Sequence, residues 1–283
     1  MKIIFLGTGT STGVPEIGCQ CEVCTSQDKR DWRLRTSAVI ETEGKRILID
    51  CGPDFRWQVI TNKIYRLDAV LITHEHSDHI SGLGVIARRY GLPIYGTKGT
   101  LEAIANTPSV GKIDPSLYRV LEPDMDITIG EIVVHPVRIS HDAADPVAYI
   151  LKNENHKIAI ITDLGIYDDY LIEKLQGLDI LLLEANHDVR MLEAGSYPYP
   201  LKRRILGERG HLSNEVSGQL LGELLHDDMK AVILGHLSKE NNYAELAYET
   251  VRQEVTLGEN PYKGNDFPIY VAKRNEPMPM LCV

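Results

Sequence analysis

Apolar and polar positions along the chain fall into blocks that switch between the strand period and the helix period. Short unbroken apolar runs recur at 3–6, 69–72, 158–161, 180–183 and 231–234, each reading as a buried strand, and all but the first have a histidine or an acid within two residues of their end. Residues 36–42 and 45–50 read as two further strands joined in a tight hairpin through Glu43 and Gly44. Residues 117–152 are β-rich with Gly130 as a hairpin position, and short strands are expected near 93–95 and 269–271. Helical spacing appears after Pro53, where Phe55, Val59 and Ile60 predict a helix to about Tyr65. Ile80, Leu83, Ala87 and Tyr90 recur at 3-4-3 spacing, and Ser213 caps a helix carrying Val216, Leu220, Leu221, Leu224 and Leu225. Residues 98–106 and 243–255 complete the helical set.

Length adds that 283 residues can bury a large core, and no linker divides them, so one domain, 1–283, is expected. No run of 18 apolar residues appears, and the apolar start at 3–6 is too short for a signal peptide, so the reading is a cytoplasmic protein with no membrane partner. A net charge of −10 and a pI near 5.5 exclude a generally basic, nucleic-acid-coating surface and leave room for a local basic cleft. Of five cysteines, Cys19, Cys21 and Cys24 form a Cys-x-Cys-x-x-Cys cluster. That density fits a structural zinc site lacking one ligand, in a reducing compartment, better than a disulfide framework. A secreted antibiotic-degrading enzyme is disfavoured on the same ground.

The densest chemistry lies in Thr73-His74-Glu75-His76-Ser77-Asp78-His79, directly after the run at 69–72. Neutral imidazoles and a carboxylate suit a borderline divalent cation, zinc first, with manganese or iron as alternatives. Four ligands make only half of a two-ion site, so other segments must contribute. Acids and histidines at the ends of other apolar runs are available: Asp50, His141, Asp163, Glu184 and His236. Asp50 reads either as a partner fixing a histidine tautomer or as a plain strand-end acid. His135 sits mid-strand and reads as structural, while Asn186, His187 and Asp188 could line a cleft. The loop Gly7 to Pro15 lacks the lysine of a P-loop and the Gly-x-Gly-x-x-Gly spacing, so it reads as backbone that lets other segments approach closely. Residues 197–209 mix aromatic, proline and basic character; Lys202, Arg203, Arg204 and Arg209 against Glu208 read either as phosphate contacts or as a solvated loop.

His-x-His-x-Asp-His after a buried strand resembles the signature of the metallo-β-lactamase superfamily. The resemblance implies an α+β, four-layer αβ/βα fold with two facing mixed β-sheets flanked by helices. It implies a binuclear hydrolase in which His74, His76 and His141 hold one divalent ion, Asp78, His79 and His236 the other, and Asp163, in Thr-Asp-x-Gly, bridges them. A hydroxide shared by the ions would attack phosphorus, Asp78 would orient it and His211 would act as general acid, while Glu184 would have a supporting rather than a ligating place. Glu-Ala-Asn-His-Asp from Glu184, Gly-His-Leu-Ser-Asn-Glu from Gly210 and Gly-His-Leu-Ser-Lys-Glu-Asn-Asn from Gly235 resemble the YycJ/WalJ, tRNase Z-like group linked to exonuclease activity. The cysteine cluster instead resembles PhnP-like cyclic phosphodiesterases, where a histidine completes a third, structural zinc site; Lys239 stands at that position here. The implied substrate is a phosphodiester, with single-stranded DNA or RNA or a small cyclic ribose phosphate as candidates, and a homodimer is left open. A thioester hydrolase and a non-enzymatic metal-binding module are the alternatives from other classes; the ligand set plus a spare histidine argues against both.

Overall fold

The computed structural model describes residues 1–28, 31–42, 44–272 and 281–283; Glu43, and with it the expected hairpin turn, lies outside them. Two seven-stranded mixed sheets carry the fold. Contacts divide the chain into two compact units, the first of residues 1–136, 143–147 and 281–283, the second of residues 137–142 and 148–272.

In the first unit the strands are β1 (Lys2–Gly7), β2 (Ser37–Thr42), β3 (Lys45–Ile49), β4 (Ala69–Leu71), β5 (Ile94–Thr97) and β6 (Tyr118–Leu121). Its sheet runs β14-β1-β2-β3-β4-β5-β6, where β14 is the C-terminal strand Leu281–Cys282. β1, β2 and β3 pair antiparallel, and β3 to β6 pair parallel. Parallel pairing needs crossovers, which are supplied by α2 (Phe55–Thr61), α3 (Ser77–Ile80), α4 (Leu83–Tyr90) and α5 (Lys98–Ala105), after the short α1 (Glu22–Thr25). The apolar runs of β3 and β4 are wholly buried, and with Phe55, Ile80, Leu83, Ile86 and Leu101 they make this unit's core.

Two helices here depart from expectation. α2 ends four residues before Tyr65, because the chain turns at Lys63 with φ 54. The 80–90 stretch forms two helices broken at Ser81-Gly82, where the backbone meets Cys51: Gly82 N–H donates to Cys51 O at 2.8 Å and Cys51 N–H to His79 O at 2.7 Å. The strand-end segment 50–52 is thereby fixed against α3. A Cβ on Gly52 would lie 1.9 Å from Asp78 O, so only glycine permits this approach. The loop 7–15 is likewise backbone packed on backbone, as expected: Gly9 N–H donates to Leu34 O and Thr36 N–H to Gly9 O.

β7 (Ile127–Ile129) and β8 (Ile132–Arg138) form the hairpin expected at Gly130, which takes φ 66. The second sheet runs β13-β12-β11-β10-β9-β8-β7, with β9 (Val147–Lys152), β10 (Lys157–Ile161), β11 (Ile180–Glu184), β12 (Ala231–Gly235) and β13 (Ile269–Val271). β10, β11, β12 and β13 are parallel neighbours with Ile161 opposite Leu183 and Glu184 opposite Gly235. Between them come α6 (Asp169–Leu175), α7 (Val189–Ala194), α8 (Tyr199–Ile205), α9 (Asn214–Leu224) and α10 (Ala244–Leu257). The expected Ser213 cap is present, its Oγ accepting from Val216 N–H. Leu181, Leu183, Val232 and Leu234 pack with Leu220, Leu221, Leu224, Val251 and Val255 as the core of this unit. α8 was expected as loop; Pro198 and Pro200 sit at its start, where the missing N–H groups cost no helical bond. No helix of the described residues is long and apolar enough to cross a membrane.

The first unit is discontinuous in sequence and its sheet takes strands from both chain ends, so we propose one cooperative folding domain, expected to show a single calorimetric transition. Gly52→Ala should lower stability by on the order of 2–4 kcal/mol, since backbone must move to admit the methyl group. Gly18→Ala, where no atom lies within 4 Å and only φ +83 opposes the change, should cost about 1 kcal/mol. Denaturant midpoints of the two variants check the contrast; equal shifts would mean that 50–52 is not held against Asp78.

Candidate metal centre

Parallel strands bring their carboxyl ends to one edge of a sheet, and in each unit the polar residues that follow those ends meet there. In the first unit Ile49 of β3 is opposite Leu71 of β4, which places Asp50 beside Thr73. The Asp50 carboxylate, 1% exposed, accepts from Thr73 N–H at 2.9 Å, from Thr73 Oγ1 at 2.8 Å and from His79 Nδ1 at 2.7 Å. Because the Thr73 hydroxyl hydrogen goes to Asp50, its oxygen accepts from His74 Nδ1 at 3.0 Å. One buried carboxylate therefore fixes two imidazoles in the Nδ1–H tautomer and leaves both Nε2 lone pairs for a cation. The tautomer-fixing alternative for Asp50 is the one the geometry favours.

His76, half-buried, has its ring centroid 4.6 Å from that of His74, and the His79 ring lies 4.1 Å from His74. Asp78 Oδ2 is 3.3 Å from His79 Nε2. Bond lengths of about 2.0–2.2 Å to a tetrahedral ion put ligand atoms roughly 3.3–3.6 Å apart, so this pair has the spacing of two donors to one cation. Glu75, between the histidines in sequence, turns away to accept from Ala144 N–H at 2.8 Å. Cys19, Cys21 and Cys24, also in this unit, bring their sulfurs within 4.8 Å of one another, and no fourth ligating residue joins the group among the described residues.

In the second unit Asp163 follows β10, Glu184 ends β11 and His236 follows β12, three adjacent parallel strands. Asp163 Oδ1 lies 3.4 Å from His236 Nε2, the spacing of two donors to one cation, and 3.8 Å from His141 Nε2, slightly wider than that spacing. His141 Nδ1 donates to Gly210 O at 3.2 Å, which frees Nε2 for coordination. Asp163 and His236 are held with positive φ, 61 and 56, as Asp50 is with φ 56. His135, by contrast, donates to Asp126 at 2.5 Å from the middle of β8, the structural role expected of it.

His211 differs from the other histidines. Its Nδ1 donates to Glu184 Oε1 at 2.7 Å while Glu184 Oε2 accepts from Leu164 N–H at 2.8 Å, which locks the wholly buried carboxylate. Burial opposes a charge on His211, but the charge and hydrogen bond of Glu184, with the charge of Asp163, prevail and raise its pKa to about 9. The ring is thus an imidazolium at neutral pH, 4.0 Å from Asp163 Oδ1. His187, its neighbour across a bridge to Ser213, goes the other way: burial holds it neutral, with a pKa of about 4. The Glu184–His211 partnership joins residues 27 apart, and the strand-end position of Glu184 was its signal in the sequence. Asp142, Thr73 and Arg204 carried no such signal. Asp142 Oδ1 stands 3.4 Å from His141 Nε2, and Asp142 pairs with the Arg204 guanidinium through both of its oxygens.

The donor chemistry of both units fits divalent ions: imidazoles beside carboxylates, with the tautomers of His74, His79 and His141 set by partners on Nδ1. Known proteins agree with this reading. The β-lactamase superfamily domain matches residues 45–236. The exodeoxyribonuclease WalJ of Streptococcus pneumoniae is 39% identical over 239 residues, covering 83% of this chain and 88% of that protein. The exodeoxyribonuclease YycJ of Bacillus anthracis is 37% identical over 219 residues, 76% of this chain and 82% of its own length. Among solved structures, a diphosphatase of the PhnP family is 27% identical with a TM-score of 0.71, over 100% of this chain and 97% of the other. With the sheet order, the strand-end histidines and acids and these matches in agreement, the chain is a member of the β-lactamase superfamily and carries its metallo-β-lactamase fold.

Proposed function

We propose that this protein is a metal-dependent phosphodiesterase that degrades single-stranded nucleic acid from an end. The observation that carries the reading is the Glu184–His211 pair, a protonated imidazole held beside the ligand Asp163. A thioester expels a thiolate, which leaves without a proton and has less use for such a donor, whereas a phosphodiester expels an alkoxide that must be protonated. The exodeoxyribonuclease names of WalJ and YycJ support the same class.

By motif order, His74, His76 and His141 would hold one ion and Asp78, His79 and His236 the other, with Asp163 available to either. Divalent ions there, zinc first by donor type, would supply Lewis-acid charge and make water acidic enough to attack near neutral pH. Asp78 orients the nucleophilic water through its carboxylate. His211 delivers its proton from Nε2 to the leaving oxygen, and Glu184, hydrogen-bonded at Nδ1, aims the ring and stabilises its charge. Cys19, Cys21 and Cys24 offer three thiolates for a third, structural zinc, with the fourth ligand from outside the described protein donors. That cluster and the likeness to a PhnP-family diphosphatase support a second reading, hydrolysis of a small cyclic ribose phosphate. Product analysis on 5′-phosphorylated single strands beside a ribose cyclic phosphate separates the two.

His211→Ala should lower turnover roughly a hundredfold or more on a substrate with an alkoxide leaving group. With a nitrophenolate, which leaves without a proton, the loss should be far smaller; equal losses would remove His211 from the acid role. Elemental analysis of purified protein should find about two or three equivalents of metal per chain. Asp50→Asn should weaken metal retention by about 10- to 100-fold in a chelator competition, because His74 and His79 lose their shared anchor. Unchanged retention would assign Asp50 a purely structural role.

A further inference from the structure

In a chain of net charge −10, residues 202–209 hold four cations, Lys202, Arg203, Arg204 and Arg209, against one acid, Glu208. Their backbone is joined to the ligand-bearing loops of its own unit. Ser140 Oγ donates to Glu208 O at 2.8 Å, Gly165 N–H to Ser140 O at 2.8 Å, and His211 N–H to Ile205 O at 3.0 Å. A Cβ on Gly165 would lie 2.1 Å from Glu208 O, so the two loops touch without side chains between them. The place of α8 relative to His141, Asp163 and His211 is therefore set by backbone contacts.

Two of the guanidinium groups reach the ligand loop itself. Arg209 Nε donates to His141 O at 2.9 Å, and Arg204 forks onto Asp142. Both side chains are exposed to solvent, where a further anion can approach them. Exposed ion pairs contribute little to stability, about 0–1 kcal/mol, so folding alone gives little reason for three exposed arginines here. Lys202 is different: its Nζ donates to Glu193 O and Gly195 O and ties α8 to the end of α7. At the other end of α8, Tyr199 is 72% exposed.

We propose that the exposed side of α8 is a binding platform for single-stranded nucleic acid, with Arg203, Arg204 and Arg209 on phosphates flanking the scissile one and Tyr199 stacked on a base. This rests on the phosphodiesterase reading above and assigns its substrate as a strand rather than a small cyclic phosphate. An acidic protein repels a polyanion at long range, and cations fixed beside the ligands offset that repulsion where the strand must sit. An aromatic ring stacks on any base, which suits a nuclease without sequence preference.

The test uses metal-replete protein and end-labelled, phosphorothioate-linked 12-mers of DNA and of RNA, with binding read by fluorescence anisotropy across a salt series. Arg203→Ala should reduce the slope of log K against log salt by about 0.7, the share of one phosphate on a single strand. Tyr199→Ala should weaken binding roughly tenfold with the slope unchanged. Lys98→Ala, on α5, should alter neither. The DNA and RNA arms show which sugar the platform accepts, and loss on either supports it. The proposal is overturned if wild type binds neither strand, if duplex binds more tightly than single strand, or if Lys98→Ala matches Arg203→Ala. Turnover of bis(p-nitrophenyl) phosphate by the wild-type protein judges the phosphodiesterase reading separately, since that substrate has no neighbouring phosphate or base for α8 to hold.

Discussion

The arrangement of the polar cluster depends on what happens within two residues of the end of a buried parallel strand. Asp50, Asp163 and His236 each leave their strand with φ between 56 and 61, a left-handed conformation that costs a non-glycine residue on the order of 1–3 kcal/mol. Asp and His tolerate this region better than most side chains, and all three positions are buried. The turn it produces stops the strand abruptly and sends the side chain along the sheet edge instead of into a helix. The strain is offset locally: the Asp50 carboxylate alone accepts three hydrogen bonds. Metal coordination would add to this at Asp163 and His236.

Two carboxylate–imidazole pairs built on the same strand-end principle do opposite things. Asp50 with His79 and Glu184 with His211 both have Nδ1 to carboxylate distances of 2.7 Å. The Asp50 carboxylate is shared with Thr73, and through Thr73 with His74, so its effect is to set tautomers and present two Nε2 atoms. Glu184 has one imidazole to serve, and its second oxygen is taken by the neutral Leu164 amide. With Asp163 adding negative charge nearby, His211 keeps its proton where His187, one residue beyond Asn186 and beside the same carboxylate, loses it to burial. Partner count and local charge separate the histidines that present Nε2 from the protonated His211 and the neutral His187.

Much of this was legible in the sequence, and the reason is physical. Parallel strands buried on both faces must be unbroken apolar runs, so β4, β10, β11 and β12 and the polar residues at their ends stand out without any structure. The spacing of His74, His76, Asp78 and His79 is local, set by an extended turn leading into the first turn of α3, and needed only the chain itself. The Ser213 cap and the apolar face of α9 were readable for the same reason, since i to i+3 and i+4 relations are carried by neighbours.

What the tertiary structure decided were relations between strands. Nothing within residues 45–50 says that Asp50 will orient His79, 29 positions on; the parallel register of β3 and β4 does that. Glu184 meets His211 through the loop before α9, and Arg204 meets Asp142 across 62 residues because the segment after α8 is tied to the 140–141 turn by Ser140 Oγ on Glu208 O and Arg209 Nε on His141 O. α8 itself was hidden by its prolines, which read as loop until their place in the first turn is known. Local pattern names which side chains are available for chemistry, while strand register and loop packing, fixed only when the core closes, determine which of them come together and which partner each one meets.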